Sequence, residues 1–370
     1  MGNMTVLPPS PSPAPAPDPD VVAGFALRVW LHQQGEVVSL MVHLGDRLGL
    51  YRALDGAGPL TPAELSARTG LHERWVREWL RGQAAAALLD TDAGGERFEL
   101  SAEGAEVLAK EETSLAFAAG AFSGGAATPE VVEGLVAAFR TGQGLTYDQL
   151  GPTAAHQTER MLAPWARLAL VPRIIPSLDG VVAKLEAGAR VADVGCGAGA
   201  ALLALAEAWP ASSYQGLDPS RLAIARAQQA AGAAGRENVT FSVARGEELV
   251  PGSGYDLILT FDCLHDMTHP ARVAAAIRRA MAPGGTWLIR EIRSSGDWRQ
   301  DQRNPVLAML YGFSVVSCMS SALSEPGGAG LGTLGLPPAG VEGLCRGAGF
   351  GSVRSHDVDD PANLYSEVRP

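Results

Sequence analysis

The stretch VADVGCGAGA, residues 191–200, decides the fold of this chain. An apolar run that contains one acidic residue, Asp193, leads into three alternate glycines, Gly195, Gly197 and Gly199. Alternate glycines let the backbone turn sharply and let a ligand approach the main chain. The run therefore predicts a buried strand and a tight turn. The helix that follows has first N–H groups that suit a carboxylate or a phosphate.

Strands and helices alternate from this turn to the end of the chain. We predict strands at residues 190–194, 213–217, 239–243, 256–261, 286–291, 352–356 and 364–368. The alternation predicts an α/β fold with a doubly wound, Rossmann-like, seven-stranded parallel sheet. Ligands of such sheets bind at the carboxyl ends of the strands, so the chemistry is expected there.

Acidic residues stand where a nucleoside-bearing ligand would need them. Asp218 ends the second strand, 19 residues after Gly199, and a carboxylate at that point accepts both hydroxyls of a ribose. Asp193 is expected to reach an ammonium group through water, and Glu247, after the third strand, to accept from an adenine amino group. The glycine spacing, GxGxG, differs from the GxGxxG of dinucleotide-binding chains.

The glycine loop and these acidic residues resemble those of the class I S-adenosylmethionine-dependent methyltransferases. The resemblance covers residues 188–368 and includes two further segments, FDCLHDM (261–267) and MAPGGTWLIREI (281–292). The resemblance implies S-adenosyl-L-methionine as cofactor. It implies that the cofactor is held by Asp193, Gly195, Gly197, Gly199, Asp218 and Glu247, with Phe261 and Asp262 beside it. The alternative is a similar fold that binds no cofactor.

The chain before the sheet is predicted to be helical. In LTPAELSARTG, residues 60–70, Thr61 caps a helix and Glu64 completes a capping box. A second helix after the turn makes a helix-turn-helix, and FEL, residues 98–100, is similar to the wing of a winged-helix domain. From about residue 35 onward the chain resembles bacterial small-molecule methyltransferases with an N-terminal winged-helix domain.

Four segments are expected. Residues 1–20, rich in proline, are expected to be a disordered tail, and residues 21–111 a winged-helix and dimerisation domain. Residues 112–175 are expected to be a helical linker and substrate lid, and residues 176–370 the methyltransferase domain, with an insertion at 296–340. The apolar face from Val38 to Leu50 predicts a homodimer.

The amino-acid composition limits the classes of partner that this chain is expected to bind. The net charge of −11 argues against a nucleic-acid partner, because affinity for phosphate backbones comes mainly from Lys and Arg. No apolar run approaches the roughly 18 residues that a membrane span needs. The four cysteines form no CxxC pair and predict a reduced, cytoplasmic protein. We therefore expect a small, partly apolar methyl acceptor.

The transfer needs an in-line nucleophile and a group that takes its proton. His265, just after the fourth strand, is expected to be that base at the pocket rim, and Asp266 is expected to orient it or to contact substrate. Tyr147, Met309 and Phe313 are expected to contact the substrate. The acceptor atom is left open between oxygen, nitrogen and carbon.

No metal site is expected. His265 and His269 have a helical ligand spacing, but Pro270 disfavours a helix at His269. Some relatives that this chain resembles methylate the β-carbon of α-keto acids with a metal held by two histidines. The second histidine would fall at Ser317, and serine is a poor ligand for such a metal.

Two other functions stay open at this point. In one, the winged helix reads DNA and the cofactor is a sensed ligand. In the other, the fold has kept the cofactor but catalyses a cyclisation or an elimination without methyl transfer. The product mass separates these reactions, because methyl transfer adds one CH₂.

Overall fold

The computed structural model describes residues 17–122 and 127–370. The first sixteen residues of the expected tail lie outside the described residues, and the first helix begins at Pro19. The helices are α1 (Pro19–Arg47), α2 (Leu50–Leu54), α3 (Pro62–Thr69), α4 (Glu73–Ala85), α5 (Ala102–Leu108), α6 (Pro129–Thr141), α7 (Pro152–Trp165), α8 (Val181–Ala187), α9 (Ala200–Ala208), α10 (Arg221–Ala233), α11 (Pro270–Ala280), α12 (Trp298–Asp301), α13 (Leu307–Phe313), α14 (Met319–Ala322) and α15 (Pro338–Gly347).

The strands are β1 (Asp90–Thr91), β2 (Phe98–Glu99), β3 (Arg190–Val194), β4 (Ser213–Asp218), β5 (Val239–Val243), β6 (Tyr255–Phe261), β7 (Met281–Ile292), β8 (Ser352–His356) and β9 (Asn363–Arg369). The first two pair as a small antiparallel hairpin. The other seven form one sheet in the order β5-β4-β3-β6-β7-β9-β8.

The predicted sheet is confirmed with one correction. Strands β3 to β7 pair in parallel, but β9 runs antiparallel to both β7 and β8. A short connection between β8 and β9 lets the chain turn straight back, whereas a parallel neighbour needs a longer crossover. The order of the strands switches between β3 and β6, which brings the carboxyl end of β3 to the centre of the sheet.

The N-terminal helices form the expected helix-turn-helix and wing. The Thr61 hydroxyl accepts from the Glu64 N–H at 3.2 Å, and the Glu64 carboxylate accepts from the Thr61 N–H at 2.7 Å, which starts α3 as a capping box. Helix α4 buries Val76, Trp79 and Leu80 against this region's own hydrophobic core. The hairpin of β1 and β2 follows α4 as the wing.

Helix α7 joins the two regions and covers the sheet. Its Arg160 pairs with Asp46 of α1 and with Glu111, and Asp46 is almost completely buried. On another face, α7 packs on α9 and α10 of the sheet region. Buried ion pairs of this kind hold elements in register, because separating the partners leaves a charge without compensation. No helix in the described ranges is both long and apolar enough to cross a membrane.

Candidate active site

A cavity of about 390 Å³ lies at the carboxyl ends of β3, β4 and β6, below α7. It brings together most of the residues that the sequence predicts for the site. Those lining it are Tyr147, Asp193, Gly195, Gly197, Asp218, Glu247, Phe261, Asp262 and Asp266. The expected contributors Gly199, His265, Met309 and Phe313 are not among its lining residues.

The glycine loop needs its three glycines for different reasons. All three have positive φ angles, +80° at Gly195, +53° at Gly197 and +80° at Gly199, which disfavour residues with a side chain. A Cβ at Gly195 would lie 2.8 Å from the Cys263 sulfur, and one at Gly199 would overlap the ring of Phe241. At Gly197 it would meet open space. Gly195 and Gly199 therefore permit close packing, and Gly195 and Gly197 form part of the cavity wall.

Asp218 stabilises the glycine loop through hydrogen bonds to the backbone. One carboxylate oxygen accepts from the Gly197 N–H at 2.9 Å, and the other accepts from the Ser220 N–H at 2.8 Å. Burial raises the pKa of Asp218, while these two backbone N–H groups oppose the rise. Each oxygen keeps a lone pair for a donor in the cavity.

Asp193 lies on the same wall and is only 2% exposed. Within the described part of the chain, its Oδ1 is buried and has no hydrogen-bond partner. Burial, and then the charge of Asp218, raises its pKa to about 8. A buried carboxylate oxygen without a donor is costly, so this position suits a ligand that carries a cation or an N–H group.

The other end of the cavity holds a tyrosine–carboxyl pair. Tyr147, in the short helical turn Tyr147–Leu150, donates its hydroxyl to Asp266 Oδ2 at 2.7 Å. Burial raises the pKa of Asp266 to about 7, although His265 and Tyr147 oppose the rise. A carboxyl group with a pKa near neutrality is suited to exchange a proton with a substrate.

His265 lies behind Asp266 rather than at the rim, and it is 1% exposed. Its Nδ1 contacts Glu291 Oε2 at 2.5 Å, while Glu291 Oε1 accepts from the Leu264 N–H at 3.1 Å. Burial alone would lower the pKa of His265, but the Glu291 carboxylate, together with Cys318 and Asp266, leaves the pKa well above its usual value. Sequence reasoning missed Glu291, although it is an acidic residue in an apolar strand.

Asp262 is held in a polar network beside the cavity. It has a positive φ of +51°, pairs with Arg290, and accepts from Asn363 Nδ2 at 2.6 Å. Burial raises its pKa to about 6 against the opposing charge of Arg290. The Arg290 guanidinium lies 4.4 Å from the Trp165 ring centroid, and Trp165 packs edge-on against Phe261. These contacts fix Phe261 and Asp262 in place.

Two substrate residues expected from the sequence lie elsewhere. Met309 and Phe313 are 49% and 48% exposed on α13, and they do not reach the cavity. The side chains that close it from above belong to α7 instead, among them Ala155, Thr158 and Leu162. Their spacing of three to four residues places them on one helix face, a signal that was available in the sequence.

Two family models match this chain. Residues 185–320 match a methyltransferase domain, and residues 36–110 match the Rv2258c-like winged HTH domain. The chain has the fold of a class I methyltransferase. The winged-helix domain precedes it, as the resemblance implied. A search of curated protein sequences found no significant match.

Solved structures share this fold over nearly the whole chain. Human N-acetylserotonin methyltransferase in complex with SAM is 19% identical, with a TM-score of 0.64, and the match covers 93% of this chain and 97% of that one. The mitomycin 7-O-methyltransferase MmcR is 20% identical, with a TM-score of 0.64 and coverages of 95% and 99%. An O-methyltransferase family protein from Burkholderia thailandensis is 20% identical, with a TM-score of 0.58 and coverages of 94% and 97%.

Proposed function

We propose that the protein transfers a methyl group from S-adenosyl-L-methionine to a small, partly apolar acceptor in secondary metabolism. One observation carries the proposal. A single cavity has the unpartnered oxygen of Asp193 at one end and the Tyr147–Asp266 pair at the other. The first suits the charged end of the cofactor, and the second suits an acceptor.

The residues of the cavity fit the cofactor. Asp193 would face its ammonium group, directly or through one water, and Asp218 would accept from its ribose hydroxyls. The open space at Gly197 lets the methionine part approach the main chain, and Glu247 would accept from the adenine amino group. When bound, the cofactor supplies a methyl group on a positively charged sulfur. Phe261 and Asp262 would lie beside it.

The acceptor end would orient the nucleophile and take its proton. Asp266 lines the cavity and would accept a hydrogen bond from an acceptor O–H or N–H group, while Tyr147 orients the carboxyl group. His265 and Glu291 lie behind it, and the charge of His265, paired with Glu291, would stabilise the Asp266 carboxylate. We expect His265→Ala to lose turnover and to keep cofactor affinity; equal turnover in the variant would contradict the role.

We propose that the winged-helix domain does not read DNA. Arg74 pairs with Glu78, and Arg77 pairs with Glu73, so two of the three arginines of α4 are paired on their own helix. Specific binding needs basic groups that are free to meet phosphates. A complex with DNA that survives moderate salt in a mobility-shift assay would favour the regulator instead.

We propose that this domain forms a homodimer. The first part of α1 carries a group of exposed apolar side chains, among which Phe25, Leu27 and Trp30 are each more than half exposed. In the face predicted from Val38 to Leu50, Leu50 is buried within the chain, whereas Leu40, Leu44 and Leu48 are also exposed. A contiguous apolar surface of this kind marks a protein-protein contact.

The four cysteines are free thiols, in keeping with a cytoplasmic protein.

Calorimetric titration of S-adenosylmethionine tests the proposal. We expect micromolar binding to the protein and loss of binding in Asp218→Ala. The matched control is Asp256→Ala, because Asp256 also accepts from a backbone N–H, that of Arg190 at 3.0 Å, but does not line the cavity. If neither the protein nor the control binds the cofactor, the proposal fails. A product heavier by one CH₂ then separates methyl transfer from rearrangement.

A further inference from the structure

Three side chains of different chemistry meet behind the acceptor end of the cavity. His265, Asp266 and Cys318 each offer one ligand atom, and these atoms all lie within 4.8 Å of one another. All three residues are buried. We propose that they form a site for one divalent transition-metal ion.

The set of donor atoms selects the kind of ion. A thiolate, an imidazole nitrogen and a carboxylate oxygen are the ligands that Zn²⁺ uses in proteins, and Co²⁺ and Fe²⁺ also accept them. Mg²⁺ and Ca²⁺ prefer sites made wholly of oxygen. Three protein ligands leave a fourth position open, as in catalytic zinc sites, and Asp266 directs that position toward the cavity that it lines.

The distances suit an ion after a small contraction. Around a tetrahedral zinc with bonds of about 2.0–2.3 Å, ligand atoms lie roughly 3.3–3.8 Å apart. The present separations of up to 4.8 Å need movements of about 1 Å or less to reach that range.

Two neighbours orient the ligands in the way that metal sites require. Glu291 engages His265 Nδ1 at 2.5 Å, which leaves Nε2 as the ring nitrogen available to an ion. A ligating histidine usually donates its other N–H to a carboxylate or carbonyl, and this fixes the ring and raises its basicity. The Tyr147 hydroxyl donates to Asp266 Oδ2 at 2.7 Å, which orients that carboxylate as well.

The local backbone brings Cys318, rather than Ser317, to the histidine. Residues 314–318 form a π-helical turn, a distortion that is frequent at functional sites. Within it, the Ser317 hydroxyl donates back to the Phe313 carbonyl at 2.8 Å, whereas the neighbouring Cys318 is buried beside His265. The position that sequence reasoning examined, Ser317, is thus one residue away from the side chain that meets the histidine.

Binding of the ion does not depend on methyl transfer, but its use in the reaction rests on the proposed function. An ion held by these three residues would act as a Lewis acid on a polar group of an acceptor that occupies its open position. This favours acceptors that present an oxygen, such as a hydroxyl or a carbonyl, over purely apolar ones. Cofactor binding at the opposite end of the cavity should proceed without the ion.

Titration of the full-length, chelator-treated protein with CoCl₂ tests the site. We expect one equivalent of Co²⁺ to bind and to give a sulfur-to-cobalt charge-transfer band in the near ultraviolet. Cys318→Ser should lose this band, and Cys345→Ser, which replaces a buried free thiol outside the cluster, should keep it. Glu291→Gln should weaken Co²⁺ binding by about 10- to 100-fold.

Two results would overturn the site. One is the absence of a charge-transfer band in the chelator-treated protein, and the other is a band that Cys318→Ser retains. If Cys318→Ser does not fold, His265→Asn serves in its place, and it should lose stoichiometric Co²⁺ binding. Calorimetry with S-adenosylmethionine on the same samples reports the cofactor site separately, so failure of the metal site and failure of the proposed function are distinguishable.

Discussion

Asp193 predicts a pH dependence of cofactor binding that can be worked out from its surroundings. In the free protein, burial and then the charge of Asp218 raise its pKa to about 8. With that pKa, roughly one carboxyl group in a hundred is ionised at pH 6 and about one in eleven at pH 7. An α-amino group has a pKa of about 7.7, so the amine of the cofactor stays mostly protonated between pH 6 and pH 7.

The direction of the pH dependence follows from the ionisation state of Asp193 that binds the cofactor. A cationic amine binds the ionised carboxylate, so the protein must lose a proton when the cofactor binds below pH 8. The apparent Kd should therefore fall about ninefold from pH 6 to pH 7, and about one proton should leave per cofactor bound. The outcome is tighter binding as the pH rises.

Calorimetric titrations at pH 6.0, 6.5 and 7.0, each in two buffers of different ionisation enthalpy, measure both quantities. Asp193→Asn should remove the slope and the proton release. Asp266→Asn is the matched control, because its carboxyl group also has a raised pKa, of about 7, but lies at the acceptor end. A Kd that is constant with pH, or a slope that persists in Asp193→Asn and disappears in Asp266→Asn, would refute the reasoning.

The remaining predictions concern stability and assembly. Gly199→Ala should lower the free energy of unfolding, measured in urea, by roughly 2–5 kcal/mol, because the φ angle is positive and the new Cβ would overlap the ring of Phe241. Gly197→Ala should lower it by only about 1–2 kcal/mol, because the φ angle is positive but the new Cβ meets open space. Arg160→Met should cost about 3–5 kcal/mol, because buried Asp46 loses a partner; an unchanged urea midpoint would contradict this. Light scattering should give twice 38.5 kDa, and Trp30→Glu should give the monomer.

The sheet was predictable because its signals are local. The strands from 190–194 to 364–368 begin and end within a few residues of their predicted bounds, except that β7 starts earlier, at Met281. The central strands β3 and β6 are apolar runs followed by Gly195 and Asp262, and such runs depend little on the rest of the chain. Asp193 and Asp218 could be placed for the same reason, since strand ends meet at one edge of a sheet.

The acceptor end was less predictable because it depends on contacts between distant segments. Tyr147 and Asp266 are 119 residues apart, and Glu291 reaches His265 from a neighbouring strand. No periodic pattern encodes such pairs. The exposure of Met309 was missed for a related reason, since an insertion of apolar residues does not tell which of its faces packs on its own chain.

The turn Tyr147–Leu150 connects the two ends of the cavity. Asp148 accepts from the Ser220 hydroxyl at 2.5 Å and from the Arg221 N–H at 3.1 Å, at the start of the helix that follows Asp218. The adjacent Tyr147 donates to Asp266 at the acceptor end. Because consecutive residues make both contacts, a shift of the turn at one end must move the other. We infer that this turn couples the positions at which the sheet would hold the cofactor and the acceptor.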